Sequence, residues 1–171
     1  LRSVKESDAE FILQMRLDEK LNKYLNPTPP GIENQKEWIR SQQSRKGDFY
    51  FIVNDNKSGN SIALASIYDI EGSNAEFGRW ISRGNAVQNI ETVLLLHDFA
   101  FNVLKMETVS THVVKENKSV INFWKRFGAE YLEDVASERF ILSHSIIHKD
   151  VYNTVIRPKQ QKLLRMMENK G

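Results

Sequence analysis

The sequence predicts one mixed α/β domain built in layers. Three observations predict it. Runs of β-branched and aromatic residues at 49–53, 62–68 and 75–81 are separated by turn residues, which is the signature of a strand meander. Two stretches at helical spacing follow, 87–104 and 119–127, with another strand-like run at 108–114 between them. A meander followed by strand–helix–strand crossovers belongs to a layered α/β domain.

Each element has a local reason. Ser7 and Asp8 precede apolar residues at Phe11, Ile12 and Met15, so a helix starts behind an N-cap. The stretch Asn26-Pro-Thr-Pro-Pro-Gly31 is a loop, because proline removes donors and biases its predecessor away from helix. Residues 33–45 read as a second helix that buries Trp38 and Ile39. Turns at 54–60 and 71–74 divide the three meander strands. The stretch 87–104 is apolar almost all round, as in a helix lying flat on a sheet. Residues 119–127 are amphipathic, and Gly128 is a natural terminator. Strands are expected at 129–132 and 139–145, then a helix at 150–168 interrupted near Pro158. The domain is expected to span 1–147, with 148–171 as a helical extension on it.

Composition narrows the function. At 40% apolar and 27% charged residues the chain is globular rather than disordered. The net charge of +2 comes from interleaved acids and bases, so nucleic acid is not an expected partner. The basic residues Arg157, Lys159, Lys162 and Arg165 read as a solvated helix face. Apolar runs such as 93–96 are far short of the roughly 20 residues that span a bilayer, so no membrane partner is expected. Cysteine is absent, which rules out disulfides and thiol catalysis and fits a cytoplasmic location. Leu1-Arg-Ser-Val4 starts like a strand and not like a signal peptide.

The order of elements, with Glu76-Phe-Gly-Arg-Trp-Ile81, Glu91, Leu94-Leu-Leu96 and the stretch from Asn117 to Gly128, resembles the GNAT superfamily of acyl-CoA N-acyltransferases. The likeness is strongest to the branch of ribosomal-protein N-terminal acetyltransferases and amino-sugar acetyltransferases. It implies a mixed central sheet with splayed fourth and fifth strands. It implies acetyl-CoA as co-substrate, no metal, and direct transfer to a small-molecule or peptide amine, and it leaves a homodimer open.

The resemblance also assigns residues. The pantetheine arm would pair with the backbone of Trp80, Ile81 and Ser82, by strand addition. The phosphates would meet the amides of Gly84, Asn85, Ala86, Val87, Gln88 and Asn89, with Arg83 as charge partner. This loop departs from the family pattern, since Val87 stands where the first glycine is usual. It reads as remodelled, with loss of the site as the alternative. Asn117 would touch the cofactor, cap the fourth helix, or do both. Trp124, assigned to the cofactor's side, stands where a Tyr acid is usual. Glu76 would be the base; the competing readings are a solvated strand end or a pair with Arg79 or another cation. The acceptor would meet Tyr24, Asn26, Gln35 and Trp38. His97, His112, His144 and His148 read as structural, with no metal-ligand spacing. The function expected is acetyl transfer from acetyl-CoA to a peptide N-terminus or an amino sugar. The alternative is a non-catalytic module of the same fold that binds CoA or a partner.

Overall fold

The computed structural model describes residues 1–168, and these form a mixed α/β fold with seven strands. Two compact units are distinguished. One holds Leu1–Asp69 with Gly78–Gly84, the other Ile70–Phe77 with the chain from Asn85 onward.

The first unit contains β1 (Arg2–Ser3), α1 (Ala9–Leu17), α2 (Ile32–Gln43), β2 (Phe49–Asn54), most of β3 (Ser61–Glu71) and the second half of β4 (Asn74–Ser82). Its strands follow the order β1-β2-β3-β4, and β2 is antiparallel to both neighbours. Ile12 and Met15 of α1 and Ile39 of α2 are fully buried with Ile52, Leu64 and Ile81 of the sheet. The helices thus bury one face each, at the spacing the sequence shows. Trp38 is only partly buried and meets Tyr50 edge-on, with ring centroids 5.5 Å apart. Gly31 has φ +109°, a conformation that side-chain-bearing residues rarely adopt, and this sets the start of α2.

Strict alternation along β4 does not survive Arg79. Its φ is +49°, in the left-handed region that a non-glycine residue enters at a cost. The guanidinium is held in place from several sides. It is bidentate to Asp48 and lies 4.1 Å from the centroid of Tyr68. The neighbouring Gly78 must be bare, because a Cβ there would sit 2.6 Å from the Tyr68 hydroxyl. Arg79 is therefore committed to Asp48, and the reading of Glu76 as its ion-pair partner is corrected.

The second unit contains the first half of β4, α3 (Ala86–Asp98), β5 (Thr108–Val114), α4 (Lys118–Phe127), β6 (Glu130–Ala136), β7 (Ile141–His148), α5 (Lys149–Val151) and α6 (Arg157–Glu168). Its order is β4-β5-β7-β6, parallel between β4 and β5 and antiparallel elsewhere. β6 is longer than expected and carries a bulge between Tyr131 and Glu133; its acidic residues hide a strand from propensity alone. β7 runs through His148, so His144 and His148 share one strand.

The expected long helix ends at Asp98 and continues as a π-turn, Phe99–Val103, in which the Leu104 amide reaches the Phe99 carbonyl. The expected break at Pro158 is also displaced. A second π-turn, Tyr152–Ile156, precedes α6, so the widened backbone accommodates the donor that Pro158 lacks.

An aromatic cluster forms this unit's core. His97 of α3 is fully buried, with its ring centroid 5.5 Å from Tyr152 and 5.7 Å from both Phe77 and Phe127. The Tyr152 hydroxyl is 3.0 Å from the Leu94 carbonyl and 3.0 Å from Asp98, and Arg157 pairs with the same Asp98. The segment after β7 is therefore integral to this core.

His97 Nδ1–H donates to the Val93 carbonyl at 2.7 Å, while the buried Nε2 has no partner among the described residues. Burial pushes its pKa down to about 4. The unfolded chain takes up this proton near pH 6.5 and the folded chain only near pH 4. Stability from this group is thus present above pH 6.5 and is lost as the pH falls towards 4, by roughly 3 kcal/mol. His97→Phe keeps a ring and removes the titration. Urea melts at several pH values should show a shallower acid-side slope in the variant; an unchanged slope would assign the acid sensitivity elsewhere.

Candidate active site

The site is built where the parallel ladder ends. β4 and β5 pair at Asn74–Thr108, Ala75–Val109 and Glu76–Ser110, and the register stops there although both strands continue. The next β5 amide on that edge belongs to His112. It donates to Glu76 Oε1 at 3.0 Å. A side-chain carboxylate thus takes the place of the next backbone partner.

The same carboxylate binds the imidazole. His112 Nδ1 is 3.0 Å from each oxygen of Glu76. Glu76 is only 9% exposed, so its charge needs donors, and His112 supplies two. The His112 side chain is 33% exposed, and its Nε2 has no partner among the described residues. The hydrogen bond to Glu76 raises the His112 pKa, against a smaller opposing effect of burial. Directly across the β5–β7 ladder, His144 stacks on His112 with centroids 4.3 Å apart and planes 12° apart. Burial, then the neighbouring imidazole, lowers the His144 pKa. The pair holds one proton more readily than two.

The predicted phosphate loop is occupied by its own caps. Asn85 Oδ1 accepts from the Gln88 amide at 3.0 Å, and Gln88 Oε1 accepts from the Asn85 amide at 2.9 Å. This is a capping box at the start of α3. The Asn89 amide bonds the Asn85 carbonyl, and the Gly84 amide bonds Ser82 Oγ. Ala86 is exposed and Val87 half-buried on the first turn. Arg83, expected as a charge partner for an anion, is paired with Asp18 at 2.9 Å.

Asn117 caps α4, with its side-chain oxygen 3.4 Å from the Val120 amide, a long bond. Trp124 is 3% exposed and meets Phe77 edge-on with centroids 4.9 Å apart, inside the aromatic core. Among the residues assigned to the pantetheine, Ile81 has its side chain in the first unit's core, and Trp80 and Ser82 are half-buried. The acceptor candidates all lie in the first unit. Gln35 is buried, Tyr24 half-buried beneath the Lys23 ammonium, and Asn26 exposed. Trp38 contacts Tyr50 and the Arg79 guanidinium.

The sequence reading did not bring His112 and His144 together beside Glu76. The signal that finds them is register: Glu76 closes the parallel ladder, and His112 lies two residues past its partner Ser110. Among the described residues no group of three or more His, Asp or Glu is arranged to hold a metal ion, and no helix is long and apolar enough to cross a membrane.

Comparison with known proteins follows the same lines. Residues 1–130 match the family model described as acetyltransferase (GNAT) domain. The solved structure of apo FdhC, a nucleotide-linked sugar GNAT, is 30% identical, covers 89% of this chain and 87% of its own, and superposes with a TM-score of 0.77. Spermidine N-acetyltransferase from Vibrio cholerae, solved with CoA and spermine, is 17% identical over 90% of this chain and 96% of its own, with a TM-score of 0.78. At that identity it shows the fold alone. No curated protein sequence matches. With a family model spanning most of its length, this chain belongs to the GNAT acetyltransferase family.

Proposed function

We propose that the protein transfers an acetyl group from acetyl-CoA directly to a primary amine, with an amino sugar carried on a nucleotide as the favoured acceptor class and a peptide N-terminus as the other. The observation that carries the chemistry is the buried Glu76 carboxylate, set with His112 where the β4–β5 ladder stops. The β4–β5 register stops at Glu76–Ser110, and pairing of a ligand with strand backbone past that point would suit a pantetheine arm. The acceptor class is supported by the 30% identity to a nucleotide-linked sugar GNAT over nearly the whole chain.

Acetyl-CoA would supply an activated thioester. The backbone of Trp80, Ile81 and Ser82 would align its arm, and Asn117 would add a side-chain contact at the start of α4. The phosphates would use the first turn of α3, at Ala86 and Val87, with Asn85 and Gln88 released from their capping box. Glu76 would belong to the proton-accepting centre, acting on an amine held in place by the protein.

That same capping box favours a second reading, a GNAT-fold module that does not bind CoA through this loop. A melting experiment separates the two. At a hundredfold excess over its Kd, acetyl-CoA should stabilise the protein by about 2.7 kcal/mol, seen as a clear rise in Tm. No rise at millimolar acetyl-CoA would favour the second reading. Asn117→Ala should lower stability by roughly 1 kcal/mol and also weaken acetyl-CoA binding by calorimetry. Asn117→Asp should keep the cap but weaken binding; equal affinity in all three proteins would leave Asn117 a cap only. Glu76→Gln should slow transfer to a nucleotide-linked amino sugar by about 10²-fold or more, while acetyl-CoA affinity stays unchanged.

A further inference from the structure

Both oxygens of Glu76 already face His112. Oε1 accepts both the amide and Nδ1 of His112, and Oε2 accepts Nδ1 at 3.0 Å. The carboxylate is nearly sealed from solvent, whereas the imidazole is partly open. With Nδ1–H pointing at a carboxylate, the neutral ring has its lone pair on Nε2, for which no hydrogen bond is seen among the described residues. The tautomer is fixed by Glu76, and the ring plane by the His144 stack behind it. A carboxylate, an imidazole locked by it, and a free nitrogen on the far side form the arrangement that orients a general base.

We propose that His112 is the group that accepts the proton of the acceptor amine, and that Glu76 is its positioning residue. This rests on the acetyltransferase reading above. As the amine nitrogen bonds to the acetyl carbonyl carbon, it gives its proton to His112 Nε2. The C–S bond breaks with its electron pair going to the CoA sulfur. The imidazolium then returns the proton to that thiolate or to water, so the ring ends neutral. Glu76 stays ionised throughout and stabilises the imidazolium.

The groups facing His112 are few. Glu76 faces it from β4 and His144 from β7, and Glu133 of β6 lies opposite His144. Glu76 favours the protonated ring and His144 opposes a second charge beside it. Replacing Glu76 by Gln therefore moves the His112 titration to lower pH, and it does not remove it.

The test is the pH dependence of kcat, with acetyl-CoA and three acceptors: a nucleotide-linked amino sugar, a peptide with a free N-terminus, and spermidine. The acceptor turned over fastest by the wild type is used for the variants. His112→Asn keeps a donor for Glu76 and removes the base. It should lower kcat by roughly 10²- to 10⁴-fold and abolish the acidic limb, with acetyl-CoA affinity kept. Glu76→Gln should retain an acidic limb displaced to lower pH, and the His112 ring resonances in NMR should titrate with the same downward displacement. Should His112→Asn fail to fold, His112→Gln and the NMR titration in Glu76→Gln carry the test. A folded His112 variant with an intact limb, a Glu76→Gln enzyme with no limb, or an unmoved His112 titration would overturn the proposal, and the first two would make Glu76 the direct base. Wild-type failure on all three acceptors would overturn the acetyltransferase reading and this proposal together. Wild-type transfer with an unimpaired His112→Asn enzyme would overturn the proposal alone.

Discussion

A carboxylate withdrawn from water must find donors, and Glu76 finds its donors in one residue. The His112 amide and ring nitrogen both reach it at 3.0 Å. The amide contact ends the β4–β5 ladder after three pairs, because the side chain occupies the place of the next strand partner. The ring contact fixes which nitrogen of His112 carries the proton. One acidic side chain in an apolar strand thereby governs both where the parallel strands cease to pair and what chemistry stands there. Leaving Glu76 without His112 would strand a buried charged group, at a cost of about 1–3 kcal/mol or more.

Two imidazoles of this unit, His97 and His112, are treated in opposite ways. His97 is ringed by aromatic side chains and bonds one carbonyl, so burial outweighs the pull of Asp98 and keeps it neutral. His112 has a carboxylate, so it favours the proton. Their fates follow from neighbours contributed by distant parts of the chain. Phe77 and Tyr152, 75 positions apart in sequence, both meet the His97 ring.

Much of the architecture was legible from local pattern. The strand 108–114 was read to the residue, and the meander boundaries fell within a few positions. Gly128 ends α4 as expected. Its φ is +123°, and a Cβ there would lie 2.9 Å from Ile156. The differences lie where tertiary context decides. β6 runs four residues past the expected 129–132, through charged residues that strand propensity disfavours, and its pairing with β7 extends it. The two π-turns carry Phe101 and Tyr152, whose rings meet with centroids 5.1 Å apart, a long-range contact that no local pattern reveals. In the site, Glu76 stood out as a carboxylate among apolar residues. Its partner did not, because the register of a parallel pair is set by tertiary packing. The capping box at Asn85 and Gln88 was hidden for a different reason: the loop was read for backbone amides, not for side chains that take those amides first.

The position of Tyr152 bears on the order in which the nascent protein can become native. Synthesis runs from the N-terminus, and compact parts acquire structure as they emerge. The residues around His97 are made early, yet the ring that stacks on it and the hydroxyl that reaches Leu94 and Asp98 come some fifty residues later, 58 positions after Leu94. Until then the inner face of α3 is covered only in part, by Phe77, Phe101, Trp124 and Phe127. On the ribosome, this half of the molecule waits with an incomplete interior, and that interval is when it is most exposed to chaperones and to aggregation.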